Sequence, residues 1–169
     1  MILNFKKSSL SDLTILKNKI ASTFEKTNYS IGSWKNFDFQ ALENDINKGV
    51  NYQIITKDEP VATFSIFRHD PIVWKELDGE NAAYLHRVIS FNSSPRIFVF
   101  PEIINWIRSF EQDSRPNFIR IDTWFDNDQL IRYYKSLGFQ FVRNQFLGNI
   151  PDLAPHNRNI KVALFQLTV

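Results

Sequence analysis

Residues 83–124 constrain the fold of this chain more than any other stretch. Residues 83–91 (AYLHRVISF) form an apolar run that reads as a central strand, broken by Asn92 to Arg96. Ile103, Ile104, Ile107 and Phe110 then recur at helical spacing, and the helix they predict runs to about Gln112. Residues 118–124 (FIRIDTW) return to strand character. Two strands joined by a helix run parallel, because the crossover carries the chain back to the end of the sheet where it began.

The flanking segments read as hairpins and helices around that unit. Residues 2–6 predict a first strand. Ser9 reads as the N-cap of a helix that carries Leu13, Leu16, Ile20 and Phe24 and fades near Thr27-Asn28. A second amphipathic helix runs from Phe39 to Ile46 and stops at Gly49. Residues 52–56 and 61–67 are strands joined by a turn of Lys57-Asp58-Glu59-Pro60, and 70–82 reads as a loop. Leu130, Ile131, Tyr134 and Leu137 mark a short helix ending at Gly138. Residues 139–143 and 160–167 are the last strands, separated by the linker 148–159. The order β-α-α-β-β-β-α-β-α-β-β predicts an α/β chain: a mixed, mostly antiparallel seven-stranded sheet with helices on both faces.

Composition removes several classes. The chain has 169 residues, one domain's length, with 43% hydrophobic residues and 16 Phe to fill a core. With no Cys there is no disulfide framework, zinc-thiolate site or thiol nucleophile, and a cytoplasmic setting is expected. A net charge of +2 gives no electrostatic footprint for nucleic acid. No apolar run reaches the ~18 residues of a membrane span, and the N-terminus has no secretory h-region.

Two motifs carry a resemblance. Asn127-Asp128-Gln129-Leu130-Ile131-Arg132-Tyr133-Tyr134-Lys135-Ser136-Leu137-Gly138-Phe139 resembles the N-x(6)-Y-x-x-L-G-F signature of the GNAT superfamily of N-acetyltransferases. Tyr84-Leu85-His86-Arg87-Val88 is similar to that family's central-strand motif. The element order matches over the whole chain, the residues over about 83–143. The resemblance implies a single acyltransferase domain that moves an acetyl group from acetyl-CoA to a primary amine, with a small molecule the expected acceptor. It implies that Tyr134 gives a proton to the leaving thiolate; read from its helical spacing alone, Tyr134 is a core-facing residue of that helix. Backbone groups of Val88, Ile89 and Ser90 would meet the pantetheine arm. Asn127 would lie near the cofactor arm, and as an Asn at a helix start it is also a natural cap.

The family's pyrophosphate loop departs from pattern here. Pro95-Arg96-Ile97-Phe98-Val99-Phe100 stands where the family often reads R-G-x-G-x-G, so Arg96, Phe98 and Phe100 fill the three glycine slots. Three readings stay open. The amides of Ile97, Phe98, Val99 and Phe100 remain free for phosphate, with the rings turned to the core, Pro101 in the first helical turn and Arg96 adding a charge. Or the chain is a GNAT-fold binding module without transferase activity. Or the cofactor binds weakly or in a shifted pose.

The remaining candidates are less specific. Asp70, Glu76, Asp78 and Glu80 cluster before the central strand and offer a field for a cationic amine, or are only solvated; the general base is not assigned. Tyr133 is expected to pack or face solvent. His86 reads as a structural residue, and His69 and His156 lack partners at ligand spacing, so no metal site is expected. Trp74 and Phe64-Ser65-Ile66-Phe67 line an acceptor pocket or pack in the core. Trp124, flanked by Asp122 and Asp126, falls near the expected cleft. The last strand, apolar on both faces, is expected to be buried or paired with a second copy in a homodimer.

Overall fold

In a computed structural model of the protein, residues 2–26, 37–91, 99–153 and 157–169 are described. The strands are β1 (Asn4–Lys7), β2 (Asn51–Thr56), β3 (Glu59–Phe67), β4 (Ala82–Ser90), β5 (Phe118–Trp124), β6 (Gln140–Leu147) and β7 (Ile160–Thr168). The helices are α1 (Leu13–Lys26), α2 (Phe39–Asn47), α3 (Pro71–Trp74), α4 (Val99–Arg108) and α5 (Asp128–Ser136). The strands form one seven-stranded sheet in the order β1-β2-β3-β4-β5-β7-β6. β1/β2, β2/β3, β5/β7 and β6/β7 pair antiparallel. β4 and β5 pair parallel, as a strand-helix-strand segment requires. The chain divides into two compact units.

Unit one comprises Met1–Ile66 and His86–Val99. Its α1 is entered through a single 3-10 turn, where the Ser9 amide donates to the Asp12 carboxylate at 2.8 Å. That is the reciprocal cap the Ser-x-x-Asp spacing predicts. Leu16 and Ile20 of α1 pack with Leu42 and Ile46 of α2 and with Ile89 and Phe91 at the end of β4. The hairpin turn is tighter than the sequence suggested. Lys57 and Asp58, at φ 47° and 66°, make it alone, while Glu59 and Pro60 already pair in β3. Positive φ at both central residues matches the right-handed twist of the strands. Pro60 is tolerated because the register shifts between Ile54 and Ile55, opposite it.

Unit two comprises Phe67–Leu85 and Phe100–Val169. Its core joins Val73 and Trp74 of α3 to Ala82 and Tyr84 of β4, Leu147 of β6, and Val162 and Leu164 of β7. The stretch 70–82 is therefore not an open loop. The Asp70 side chain accepts from the Val73 amide and Pro71 opens the turn, a start signal for the helical turn that follows. β7 pairs with β5 on one edge and β6 on the other, and its consecutive residues Val162, Ala163, Leu164 and Phe165 are all buried, so both of its faces are covered. It has no free edge for a second copy, so the pairing expected of it is met within the chain. β6 is longer than 139–143, and α4 ends at Arg108 rather than Gln112.

Candidate functional site

The helix that carries Tyr134 is built by its two ends. The Asn127 side chain accepts from the Leu130 amide at 3.2 Å and so caps α5. At the far end Gly138 adopts φ 91°, and the Phe139 amide donates to the Tyr134 carbonyl at 3.1 Å. Only glycine takes that φ without steric cost. The next residue, Phe139, turns inward and is 3% exposed.

Tyr134 lies in an aromatic nest and is 6% exposed. Its ring is 5.4 Å from Phe100 and 6.0 Å from Tyr133, Phe139 and Phe165. Burial raises its hydroxyl pKa above the usual tyrosine value, and the charge of Asp122 adds to the effect. The hydroxyl therefore stays protonated at neutral pH. Tyr133 packs on Phe100 at 6.0 Å, and burial raises its pKa too. Asp122 and Asp70, both in unit two, bring carboxylate oxygens within 4.8 Å of each other.

The other expected site residues fall in three places. Val88, Ile89 and Ser90 close β4; Val88 is half-buried, Ile89 points into the unit-one core and Ser90 is exposed. They lie beyond the register that ties β4 to β5, which covers only Ala82, Ala83 and Tyr84 against Phe118, Ile119 and Arg120. Val99, Phe100 and Pro101 form the first turn of α4, where Pro is accommodated because first-turn amides have no helical partner. The Phe100 ring is spent on the tyrosines. Arg96, Ile97 and Phe98 lie outside the described residues, as does His156.

The carboxylates before β4 hold protein groups. Asp78 accepts from the Asp70 amide and from His69. Glu76 pairs with Arg143, whose hydrogen bond lowers the Glu76 pKa to about 2. Glu80 pairs with Arg120. Trp74, 1% exposed, is a core residue rather than a pocket wall; it meets Tyr84 edge-on and lies under the Arg120 guanidinium. Phe64, Ser65 and Ile66 are buried as well.

Two buried networks escaped the sequence reading. In unit one, Arg87 Nε donates to Asp45 at 2.8 Å, Nη2 donates to the same oxygen, and the Ser65 hydroxyl joins them at 2.6 Å. The signal was present: Asp45 stands with Leu42 and Ile46 on the apolar side of α2, where an acid needs a cation. In unit two, Arg120 donates to Gln166 at 2.9 Å, the Tyr84 hydroxyl at 3.0 Å, the Leu77 carbonyl and Glu80.

No protein-family model matches the sequence, and no curated protein matches it. Solved structures do. An acetyltransferase of the GNAT family from Listeria monocytogenes superposes with a TM-score of 0.76 at 19% identity, over 99% of this chain and 95% of that one. A probable acetyltransferase from Staphylococcus epidermidis gives 0.67 at 15%, covering 99% of each chain. Arabidopsis thaliana Naa50, in complex with the bisubstrate analogue CoA-Ac-MVNAL, gives 0.60 at 13% over the full length of both. With the parallel β4/β5 pair, the antiparallel β1/β2, β2/β3, β5/β7 and β6/β7 pairs and the Asn127-to-Phe139 segment in place, this chain has the fold of the GNAT-family acetyltransferases.

Proposed function

We propose that the protein transfers the acetyl group of acetyl-CoA to a primary amine of a small molecule, by direct attack in a ternary complex. The observation that carries this reading is Tyr134: the tyrosine of the N-x(6)-Y-x-x-L-G-F segment, buried, with its hydroxyl kept protonated. The amine nitrogen attacks the acetyl carbonyl carbon and the C–S bond breaks. Tyr134 gives its proton to the departing sulfur and is reprotonated by the proton the nitrogen sheds. Backbone groups of Val88, Ile89 and Ser90 hold the pantetheine arm and polarise the thioester. Backbone amides from Arg96 to Phe100, with the first turn of α4 up to Pro101, take the pyrophosphate. Phe100 fits that role because its ring packs on Tyr133 and Tyr134 and leaves its main chain to the ligand. The field of Asp122 and Asp70 favours an acceptor that arrives as an ammonium. The reading is for a cytoplasmic, single-domain enzyme that uses no metal; among the described residues no helix is long and apolar enough to cross a membrane.

The test is Tyr134→Phe in an amine-acceptor screen that reads thiol release. The variant should keep its acetyl-CoA affinity and lose kcat by about 100-fold, the low end of general-acid contributions. An unchanged kcat would remove Tyr134 from the chemistry. A second reading, a GNAT-fold binding module without transferase activity, rests on the three filled glycine slots; it predicts no thiol release with any amine.

A further inference from the structure

The backbone at Arg87 is in a conformation its side chain disfavours. Among the described residues five non-glycine residues have positive φ, and Lys57, Asp58, Lys75 and Asn159 sit at turns or element ends. Arg87, at φ 50°, lies inside a strand. A left-handed residue there interrupts the pleat and re-aims the residues after it, as in the bulges that use glycine at this point. Those next residues are Val88, Ile89 and Ser90.

The side chain of Arg87 is fixed from the other end. Asp45, 3% exposed, accepts both of its donors on one oxygen and also accepts from Ser65. The Ser65 hydroxyl accepts from the Asn51 amide at 3.1 Å, and Asn51 in turn accepts from Ser8 at 2.6 Å and Thr63 at 3.2 Å. Four further residues thus hold Asp45 in place. A buried ion pair is poor at raising stability, and glycine at 87 would relieve the backbone, so stability alone does not account for the arrangement.

We infer that Asp45 is a positioning residue: through Arg87 it holds β4 in its left-handed kink and so aims the backbone of Val88 to Ser90 at the pantetheine arm. This rests on the acetyl-CoA reading above.

The experiment measures acetyl-CoA binding by calorimetry, beside binding of the nucleotide half of coenzyme A, which lacks the pantetheine arm. Asp45→Asn should weaken acetyl-CoA about ten-fold, the population penalty of a left-handed residue that has lost its ion pair to Asp45, and leave the nucleotide half unchanged. Adding Arg87→Gly to Asp45→Asn should restore wild-type affinity, because glycine keeps the kink unaided. Adding Arg87→Ala should not. Equal affinities for the glycine and alanine double variants would overturn the inference, as would equal weakening of both ligands. If the alanine variant does not fold, Asp45→Asn against Asp45→Asn/Arg87→Gly decides in the same way. A wild type that binds no acetyl-CoA would instead sink the functional reading and take this inference with it.

Discussion

Arg120 in unit two and Arg87 in unit one each form an ion pair with a carboxylate, with the burial exchanged. Arg120 is 1% exposed and its partner Glu80 is 50% exposed; Arg87 is 28% exposed and its partner Asp45 is 4% exposed at the side chain. Arg120 also has neutral acceptors in Gln166, Tyr84 and the Leu77 carbonyl, and its guanidinium lies over the rings of Trp74 at 4.6 Å, Phe118 at 5.4 Å and Tyr84 at 5.7 Å. Burial lowers its pKa, and Asp78 opposes the change. Among the described residues, Asp45 accepts from Arg87 and Ser65. Arg120 belongs to strand β5 with ordinary backbone, whereas Arg87 is bent to φ 50°. The first network satisfies a buried charge many times over and reads as core architecture. The second sets a buried charge against one residue with left-handed backbone, and that pairing is what the positioning role proposed for Asp45 rests on.

The contrast has measurable consequences. The largest is Arg87→Ala, which leaves Asp45 a buried carboxylate with a single hydroxyl partner. It should cost about 3–5 kcal/mol in urea unfolding, most of it recovered by adding Asp45→Asn. A loss below about 1 kcal/mol would mean that the pair contributes no more than an exposed ion pair does. Glu80→Gln strands a buried arginine instead, yet Arg120 keeps its neutral acceptors and rings, so the expected loss is about 1–2 kcal/mol. If Glu80→Gln proves the worse of the two, the comparison is wrong. Ser65→Ala removes one hydrogen bond to Asp45 and should cost about 1 kcal/mol in the same assay.

The smallest effect is at Glu76. Its folded pKa is lowered from 4.5 to about 2 by Arg143, so the pair's contribution is full above pH 4.5 and lost as pH falls through about 2. Because Glu76 is exposed, unfolding will barely register it. Carboxyl titration by NMR should place it near 2, and Arg143→Ala should return it towards 4.5.

The elements with local causes were legible in the sequence. β5 lies over the predicted residues, Asn127 caps α5, and Gly138 ends it, because cap, apolar period and stop signal all fall within a few residues. α3 was not legible because its start signal, the Asp70 cap followed by the first-turn Pro71, sits in a stretch whose Pro, Gly, Asp and Glu content has loop character. The candidate site was legible only where a motif marks it and hidden where it is tertiary. Tyr134 was named through the resemblance of its segment to a family signature, and helical spacing alone places it in the core, where it is 6% exposed. Arg87 and Asp45 are 42 residues apart, and no local signal marks a left-handed arginine in an apolar strand. Likewise Arg120 in FIRIDTW gives no hint of Glu80 or Gln166, 40 and 46 residues away.

The central claim is that this fold, with its glycine slots filled, still takes acetyl-CoA. The most direct test is the melting temperature with and without millimolar acetyl-CoA, with dephospho-CoA and ATP as controls. Binding to the native state adds RT ln(1 + [L]/Kd), about 2.7 kcal/mol at a hundredfold excess over Kd. The account predicts a saturable rise with acetyl-CoA that ATP does not reproduce. No rise at any concentration would contradict it.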